Sequence, residues 1–501
     1  MTTRDEEGIK SRFSNKIEIK RPVEKLDFTT KCVVTIAIFF LYQLFTAVPL
    51  LGVNLGEGDP FAFIRMISAS LHGSLAELGI LPVLIAGLTM YTLIRMNIIK
   101  MDIANQEERN RYNILRILLS FLITIVMALL ITFSGIFGSG LDITTQSFII
   151  IQLTIVGVLI VLLDEIVNRG WGLGSGISMF IAGGVGLRIF QGLFAPNNIL
   201  EGPNGVTSGR GIVLAFLYWV GEEGPIAAFG NLFFRYSTNP AHKLNLPSLS
   251  ILSVCLAGIF FFLVVFLEII KTSTIQPESL EPARKIRNPV IPLVLTTTVL
   301  AVIRFTSLLI WNASGRENSR SVIAFFLGQF RLDVITEQYI PVGGIGYFFS
   351  PPRQMDSLFF DPLSWITQAI IYGGIFLGLY IGFSKLVLHI HGLSVENQQE
   401  KEIPQKYILI GIIAFVADLF NPLGAGVGII LLALIIISYY QLLQGVRSPG
   451  FVRFDFESSN QLEMSERRQM VKRNYTLIII LMGLGIFLLR FIVFVILGRE
   501  M

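Results

Sequence analysis

Eleven apolar stretches, each near twenty residues long, divide this chain of 501 residues. A helix needs about 20 apolar residues to cross the hydrocarbon core of a bilayer. Only 15% of the residues are charged, whereas a water-soluble protein carries about 25%. The pattern therefore predicts an all-α, multi-pass integral membrane protein. The stretches are 28–49, 76–97, 113–136, 146–167, 175–194, 249–270, 289–311, 364–386, 403–421, 424–444 and 475–497.

Basic residues indicate how the chain is oriented. With the N-terminus in the cytosol, most of the 39 Lys and Arg residues fall on the cytosolic side, which is the side that the positive-inside rule favours. Residues 8–25 alternate basic and apolar positions. We expect 1–27 to be a cytosolic amphipathic segment whose helix lies on the membrane surface, with a disordered basic leader as the alternative.

The spacing of the stretches predicts two halves. Five stretches precede a long external loop and five follow it, and an odd number of spans per half means that any internal repeat is inverted in the membrane. Within the loop, 211–221 is apolar but too short to span and is interpreted as an interfacial helix. The predicted divisions are 28–195, the external loop 196–248, 249–445, and a C-terminal extension 446–501 that contains the stretch 475–497.

One short apolar segment, 59–74, cannot cross a membrane. A half-helix facing lipid would leave its backbone ends unpaired, so this segment is expected to lie inside protein, at the mouth of a cavity. Asp59 suits the helix cap and Pro60 the first helical position. Arg65 and His72 are expected to face a water-filled vestibule. A short helix over a cavity suggests a stopper, so the segment is interpreted as the stopper of a channel.

Catalytic chemistry finds little support in the sequence. None of the four histidines occurs in a metalloprotease motif, no Gly-x-Ser-x-Gly or P-loop motif occurs, and Cys32 and Cys255 lie within apolar stretches. We therefore expect no enzyme activity, metal or cofactor, which disfavours an intramembrane hydrolase. The alternative of a solute transporter needs buried ionisable residues. The charged residues near the ends of spans are Asp164, Glu165, Glu268 and Asp418, and such residues usually cap a helix or extend to the membrane surface. The interior candidates are Arg188 and Arg304.

Aliphatic residues beside glycines are the other notable pattern. Ile80 and Leu84 are four residues apart and share a helix face, as do Ile177 and Ile181 within a Gly-rich segment. A third Gly-rich stretch precedes Leu431. Taken alone, such residues face lipid or the core more often than a pore.

Together these segments resemble the SecY protein-translocation channel family, and its archaeal and endoplasmic-reticulum branch more than the bacterial one. The resemblance extends over about 20–445. It is carried, in order along the chain, by Asp59-Pro-Phe, Ser68-Ala-Ser70, Glu77-Leu-Gly-Ile-Leu-Pro82, Ile151-Gln-Leu153, Leu163-Asp-Glu165, Gly172-Leu-Gly-Ser-Gly-Ile177, Phe180-Ile-Ala182, Tyr347-Phe-Phe-Ser-Pro351 and Asp361-Pro362.

The resemblance implies a protein-conducting channel that passes unfolded polypeptides across the membrane and releases apolar segments into lipid. The implied fold is a bundle of ten transmembrane helices in two inverted five-helix halves around an hourglass pore, here with an eleventh C-terminal helix. The half-helix 60–72 becomes the plug, through Pro60, Phe61, Phe63, Ile64, Ile67, Ser68 and Ser70. The pore ring becomes Ile80, Leu84, Ile177, Ile181, Leu431 and Ala301, where Ala301 departs from the family's larger residue.

A lateral gate is also implied, and Thr296, Thr297 and Thr298 are the candidate polar residues on its seventh span. Two cytosolic loops would face a driving partner. The loop 271–289 has Arg284, Lys285 and Arg287, whereas 387–404 is shortened and mostly Glu and Gln around Lys401. Because rRNA binding favours basic residues, the second loop departs from the pattern expected for ribosome docking.

The resemblance further implies a SecE-like, gamma-type single-span subunit and a beta-type subunit as partners, besides the ribosome, the unfolded polypeptide and lipid. The stretch 475–497 has the orientation of the beta-type subunit and either replaces it or is an unrelated helix. The expected location is the cell membrane of a prokaryote, with an archaeon favoured, and the endoplasmic reticulum is the alternative.

Overall fold

The computed structural model describes the apolar part of the chain up to 443. The described residues are 19, 21–22, 26–53, 59, 61–96, 98–99, 101, 105–137, 141–194, 198–201, 207–209, 211–233, 236–237, 250–274, 289–314, 322–333, 338–352, 361–392 and 405–443. The extra span 475–497 and nearly all of the segment 1–27 lie outside them, so both remain predictions.

Five of the predicted stretches in the first half are helices, and a short helix lies between the first two. They are α1 (Phe28–Ala47), the short α2 (Ala62–Ser68), α3 (Leu81–Arg95), α4 (Gln106–Phe133), α5 (Ile143–Ile166), which continues into a π-helical turn (Val167–Trp171), and α6 (Gly176–Phe194).

Two boundaries in the first half differ from the sequence prediction for local reasons. The stretch predicted at 76–97 becomes helical only at Leu81, because Gly79 has a positive φ and Pro82 occupies the first turn of α3. The stretch predicted at 113–136 starts earlier, at Gln106. There the side chain of Asn105 accepts a hydrogen bond from the Glu107 backbone N–H at 3.0 Å and caps α4.

The external loop contains two helices and a small sheet. The helices are α7 (Ile212–Glu223) and α8 (Pro225–Phe233), and α7 confirms a helix at the predicted interfacial segment. Strand β1 (Asn198–Glu201) pairs antiparallel with both β2 (Thr207–Gly209) and β3 (Tyr236–Ser237).

The other five predicted stretches form helices in the second half. The elements are α9 (Ile251–Thr274), α10 (Val290–Ala313), α11 (Val322–Leu327), β4 (Gln329–Asp333), β5 (Gln338–Gly343), α12 (Ile345–Phe348), α13 (Pro362–Gly392), α14 (Gln405–Phe420) and α15 (Gly428–Leu443). Helix α10 packs against α13, and α9 packs against α15. The β4–β5 hairpin and the short helices α11 and α12 lie between α10 and α13 in the chain.

Helix length supports the membrane assignment. Within the described ranges, seven helices are long and apolar enough to cross a bilayer, and α3 and α15 are shorter apolar helices. Helix α14 has 16 residues. The mostly helical, multi-span fold is thus confirmed, while the number of crossings stays a prediction.

The segment Asn421-Pro422-Leu-Gly424 breaks the apolar pattern between two stretches and predicts a tight helical hairpin, and the sharp turn between α14 and α15 has this form. Asn421 and Leu423 both have positive φ angles, and Pro422 prevents α14 from continuing. The backbone N–H of Leu423 donates to the Ser253 hydroxyl at 2.6 Å, which ties the turn to α9. The same contact orients α15, the helix that carries Leu431.

Close packing of α13 against α14 yields a prediction about stability. A Cβ at Gly411 would lie 2.6–2.7 Å from ring atoms of Tyr380, so Gly411→Ala should destabilise the protein by about 1–3 kcal/mol through overpacking. Thermal unfolding in detergent measures the effect. The matched control is Gly378→Ala on α13, where a Cβ meets no atom within 4 Å. Equal unfolding temperatures for the two variants would contradict this packing.

Candidate pore and plug site

Helix α2 occupies the predicted plug segment but is shorter than 60–72. Its first turn is anchored by Asp59, whose Oδ1 accepts the Phe61 backbone N–H at 3.0 Å. At the other end Ala69 adopts a left-handed conformation that stops the helix. Pro60 and the side chain of Phe63 lie outside the described part of the chain. Phe61, Ile64, Ile67, Ser68 and Ser70 are all buried, as a plug inside protein requires.

The end of α2 is bonded to the helices beside it. The backbone N–H of Ile80 donates to the Ser68 carbonyl at 2.9 Å, and the Tyr42 hydroxyl of α1 donates to the Ala69 carbonyl at 2.8 Å. Gly79 permits this approach, because it has a φ of +53° and a Cβ there would overlap the Ser68 carbonyl oxygen. The plug segment is therefore attached directly to the backbone of a predicted ring residue.

Arg65 of α2 lies at the centre of a buried ion cluster. Its Nε is 2.8 Å from Asp59 Oδ2, and its Nη2 is 2.6 Å from Glu77 Oε1 and 3.0 Å from His72 Nδ1. The Arg65 side chain is only 2% exposed. The expectation that Arg65 faces a watery vestibule was wrong, because two carboxylates supply the pairing that water would otherwise give. His72 is 15% exposed and lies at the rim of the cluster.

The cluster sets the ionisation of its carboxyl groups. Burial alone would raise the pKa of Asp59, but attraction and hydrogen bonding to Arg65 outweigh it and lower that pKa to about 2. Glu77 is held by the same ion pair with Arg65. A lowered pKa means that the stabilisation from Asp59 is complete above pH about 4, its ordinary pKa, and is lost as the pH falls through about 2.

Five of the six predicted ring residues share one buried apolar cluster. Ile80, Leu84, Ile177, Ile181 and Leu431 each have 0% exposure and belong to the main apolar core of the described residues, to which nearly all the helices contribute. We call these five residues the ring cluster. They come from three different helices, α3, α6 and α15, together with the residue that precedes α3. Sequence spacing paired four of them, and the fold buries all five in the same core.

The plug helix packs on the ring cluster. Met66 and Ile67 of α2 belong to the same apolar core as the ring cluster. A Cβ at Gly184 would lie 2.7 Å from the Ala69 Cα, and a Cβ at Gly428 would overlap the Met66 side chain. The glycines on α6 and α15 therefore let the plug segment lie against two of the three helices that carry ring residues.

Ala301, the sixth predicted ring residue, lies in a second apolar cluster. This cluster contains Phe61 and Ile64 from the plug segment and Phe305 from α10. The Phe61 and Phe305 ring centroids are 4.8 Å apart. Ala301 thus lies beside the other face of α2, and its part in a ring stays a prediction.

The predicted gate residues of α10 have satisfied hydroxyl groups. Thr296, Thr297 and Thr298 are at most 4% exposed. Each donates to a carbonyl one turn earlier in its own helix, over 2.8, 2.9 and 2.7 Å. Such bonds leave the helix surface less polar than the sequence indicates.

Interior charges that the sequence left without partners are paired in the structure. Arg304 Nε donates to the Phe349 carbonyl at 2.7 Å, and the guanidinium lies 5.7 Å from the ring centroid of Tyr372. The Tyr372 hydroxyl donates to Asp418. This chain of contacts joins α10, α13 and α14, and nothing in the sequence spacing connects these residues in advance.

The predicted partner-loop residues cannot be placed. Arg284, Lys285, Arg287 and Lys401 lie outside the described ranges. Within those ranges, no three His, Cys, Asp or Glu residues group as a metal site.

Sequence comparison identifies relatives with transport functions. A family model described as SecY matches 74–412, more than half of the chain. The Sec61 subunit alpha protein transport protein of Dictyostelium discoideum is 27% identical over 463 residues, covering 85% of this chain and 93% of the relative. The protein translocase subunit SecY of Methanothermobacter thermautotrophicus is 28% identical over 459 residues, covering 86% and 93%.

Solved structures share the fold. Sec61 in the canine ribosome-channel complex aligns with a TM-score of 0.63 at 23% identity, covering 86% of this chain and 96% of that one. A structure described as a protein conducting channel gives 0.63 at 24% identity with the same coverage. The fold matches these channels, and the family model extends over more than half of the residues. This protein therefore belongs to the SecY family of protein-transport channels.

Proposed function

We propose that the ring cluster is the constriction through which this channel passes unfolded polypeptide, and that α2 is its plug. The observation that carries the proposal is that Ile80, Leu84, Ile177, Ile181 and Leu431 are fully buried in the same apolar core as Met66 and Ile67 of α2. These residues lie on separate helices that can move apart, so the same cluster can be closed or open. The channel itself performs no catalysis and needs no cofactor under this proposal.

Aliphatic side chains suit such a constriction for a physical reason. They offer an ion no replacement for its hydration shell, so a closed ring resists leakage without a charged barrier. They also bind no particular side chain, so a passing chain of any sequence is tolerated. A polar group in the ring would let ions leak before it caused the ring to bind particular side chains of a passing polypeptide.

The plug would add a second barrier that is reversible. Met66 and Ile67 of α2 belong to the core that contains the ring cluster, while Arg65 of the same helix pairs with two carboxylates that precede and follow it in the chain. An ion cluster can be separated when water or a translocating chain enters, because its members regain hydration. The arrangement therefore suits a seal that opens and reforms.

Lateral release of apolar segments would use α10. This helix carries Thr296, Thr297 and Thr298 and packs against both α13 and the plug segment. Their hydroxyl groups already have acceptors, so parting α10 from its neighbours exposes few unpaired polar atoms. Domain boundaries at 28–195, 196–248 and 249–445 belong to the same proposal.

The partners we propose are a SecE-like single-span subunit, a beta-type subunit or the stretch 475–497 in its place, and the ribosome. Solved relatives support the ribosome as a partner, since one is Sec61 in a ribosome-channel complex and another is an Ssh1 complex bound to the yeast ribosome. For location we propose a prokaryotic cell membrane. The relatives include both an archaeal SecY and Sec61 subunits, so the endoplasmic reticulum is the competing assignment.

The ring assignment predicts leakage when a ring residue becomes polar. Ile80→Asn, Ile177→Asn or deletion of 60–72 should raise ion conductance in planar bilayers several-fold and relax the selection of signal sequences. The reason is that an amide in the ring admits water where the parent excludes it.

Two controls separate the ring from general damage. Ile80→Leu keeps an aliphatic side chain and should leave conductance unchanged. Ile149→Asn introduces the same amide at a fully buried site in the second cluster, outside the ring. Parental conductance in both ring variants, or equal leakage from Ile149→Asn, would rule out the ring assignment.

The ion cluster predicts that Arg65 keeps the plug closed. Arg65→Gln would leave the buried Glu77 and the half-buried Asp59 without their countercharge, at a cost of about 3–5 kcal/mol to the closed plug. Conductance should rise although no ring residue has changed. Arg331→Gln, an exposed arginine on β4, is the control and should have no effect. A closed, non-conducting Arg65→Gln channel would mean that the cluster does not hold the plug.

A further inference from the structure

The start of α6 is held by a carboxylate from another helix. Asp164, near the end of α5, accepts the backbone N–H of Ile177 at 2.9 Å through its Oδ1. Ile177 is the second residue of α6, where backbone N–H groups have no acceptor within the helix. The carboxylate thus caps α6 across a separation of 13 residues and touches a ring residue itself. The sequence had indicated only an end-of-span charge.

Gly176 makes this contact possible. A Cβ at Gly176 would lie 2.6 Å from Asp164 Oδ1 and 2.8 Å from the Asp164 Cα. Any larger residue would push the first turn of α6 away from α5. The sequence therefore places the residue without a side chain at the point of closest approach.

The Asp164 carboxylate is itself fixed. Its Oδ2 accepts the Asn168 side-chain amide at 3.0 Å and lies 4.0 Å from Arg116 Nη1. Glu165, the next residue, pairs with Arg116 at 2.8 Å and with Arg169 at 2.6 Å. All five side chains are buried. The two carboxylates are balanced by two guanidinium groups, and the network lies beside the first turn of α6.

The loop between α5 and α6 contains two glycines in the left-handed region. Gly170 and Gly174 have φ angles of +95° and +74°, which a glycine adopts at no steric cost. The loop is also held by neighbouring groups: the Leu173 backbone N–H donates to the Thr35 hydroxyl of α1 at 2.8 Å, and the Ser175 hydroxyl accepts the Ser178 backbone N–H at 3.5 Å. The position of Ile177 therefore depends on the Asp164 contact from α5 as well as on the loop.

We propose that Asp164 is a positioning residue for the pore constriction, which sets where Ile177 and Ile181 stand in the ring cluster. The inference rests on the proposed function of that cluster. Ile177 and Ile181 are one helical turn apart, so a shift or rotation at the first turn of α6 moves both together. Because the capped N–H belongs to Ile177, no flexible linker absorbs the displacement.

Asp164→Leu tests the proposal, because leucine fills the space and removes the acceptor. Loss of a charge-assisted hydrogen bond shifts an equilibrium by about tenfold or more, so conductance in planar bilayers should rise about tenfold. Asp164→Asn should restore closure, since its amide oxygen still accepts from Ile177. Its new N–H₂ group replaces Oδ2, to which the Asn168 N–H₂ group donates, so the Asn168 amide has to turn over. Its Oδ1, which is buried without a hydrogen-bond partner among the described residues, then accepts the new N–H₂ group.

A second variant keeps the test usable if Asp164→Leu does not fold. Gly176→Ala retains the carboxylate but displaces α6 from it, and it should also leak. The control is Asn105→Ala, which removes a side-chain cap from α4, a helix with no ring residue. It should lower thermal stability without raising conductance.

The outcomes distinguish this inference from the function on which it rests. If Ile177→Asn leaks while folded Asp164→Leu and Gly176→Ala behave like Asn105→Ala, the positioning role is overturned and the ring survives. If Asp164→Asn leaks as much as Asp164→Leu, the buried charge matters and the cap does not, which also overturns the proposal. If Ile177→Asn does not leak, the ring assignment itself fails.

Discussion

The placement of α2 depends on how the buried guanidinium of Arg65 is balanced. A lone charge at this depth would be too costly to keep, yet two carboxylates and a histidine surround it within one short segment of chain. Glu77 is also bonded to the Gly73 backbone N–H at 2.6 Å, so the cluster fixes the turn that leads to α3. The plug's charge balance and the position of Ile80 therefore have a common origin.

The site also depends on glycines at which two backbone segments approach closely. Gly79, Gly184 and Gly428 each allow the plug segment to approach a neighbouring helix more closely than a side chain would permit. Gly176 does the same between α5 and α6. The close approach brings apolar side chains into contact, as dense packing requires. In the proposed channel the aliphatic residues would supply the seal, and these glycines would set how closely the helices that form it approach.

Much of the fold followed from the sequence, because hydropathy and length largely determine where membrane helices form. The ten helices near the predicted stretches and the Asn421-Pro422 turn are examples. Pairing of charges did not follow. Arg65 was expected in water and Asp164 was interpreted as an end-of-span charge, since the partners of both depend on three-dimensional contacts. A contact between residues 13 apart, such as that of Asp164 with Ile177, or between separate helices leaves no periodic pattern in a single sequence.

The plug helix touches both halves of the molecule, α6 on one side and α10 on the other. Its two apolar faces belong to different clusters, through Met66 and Ile67 in one and Phe61 and Ile64 in the other. Withdrawal of the helix would therefore remove a bond between the halves as well as a stopper. By thermodynamic linkage, the two events favour each other equally. Separation of the halves weakens the binding of α2 by the same factor by which the loss of α2 favours that separation. A signal sequence that parts the helices would unseat the plug without touching it.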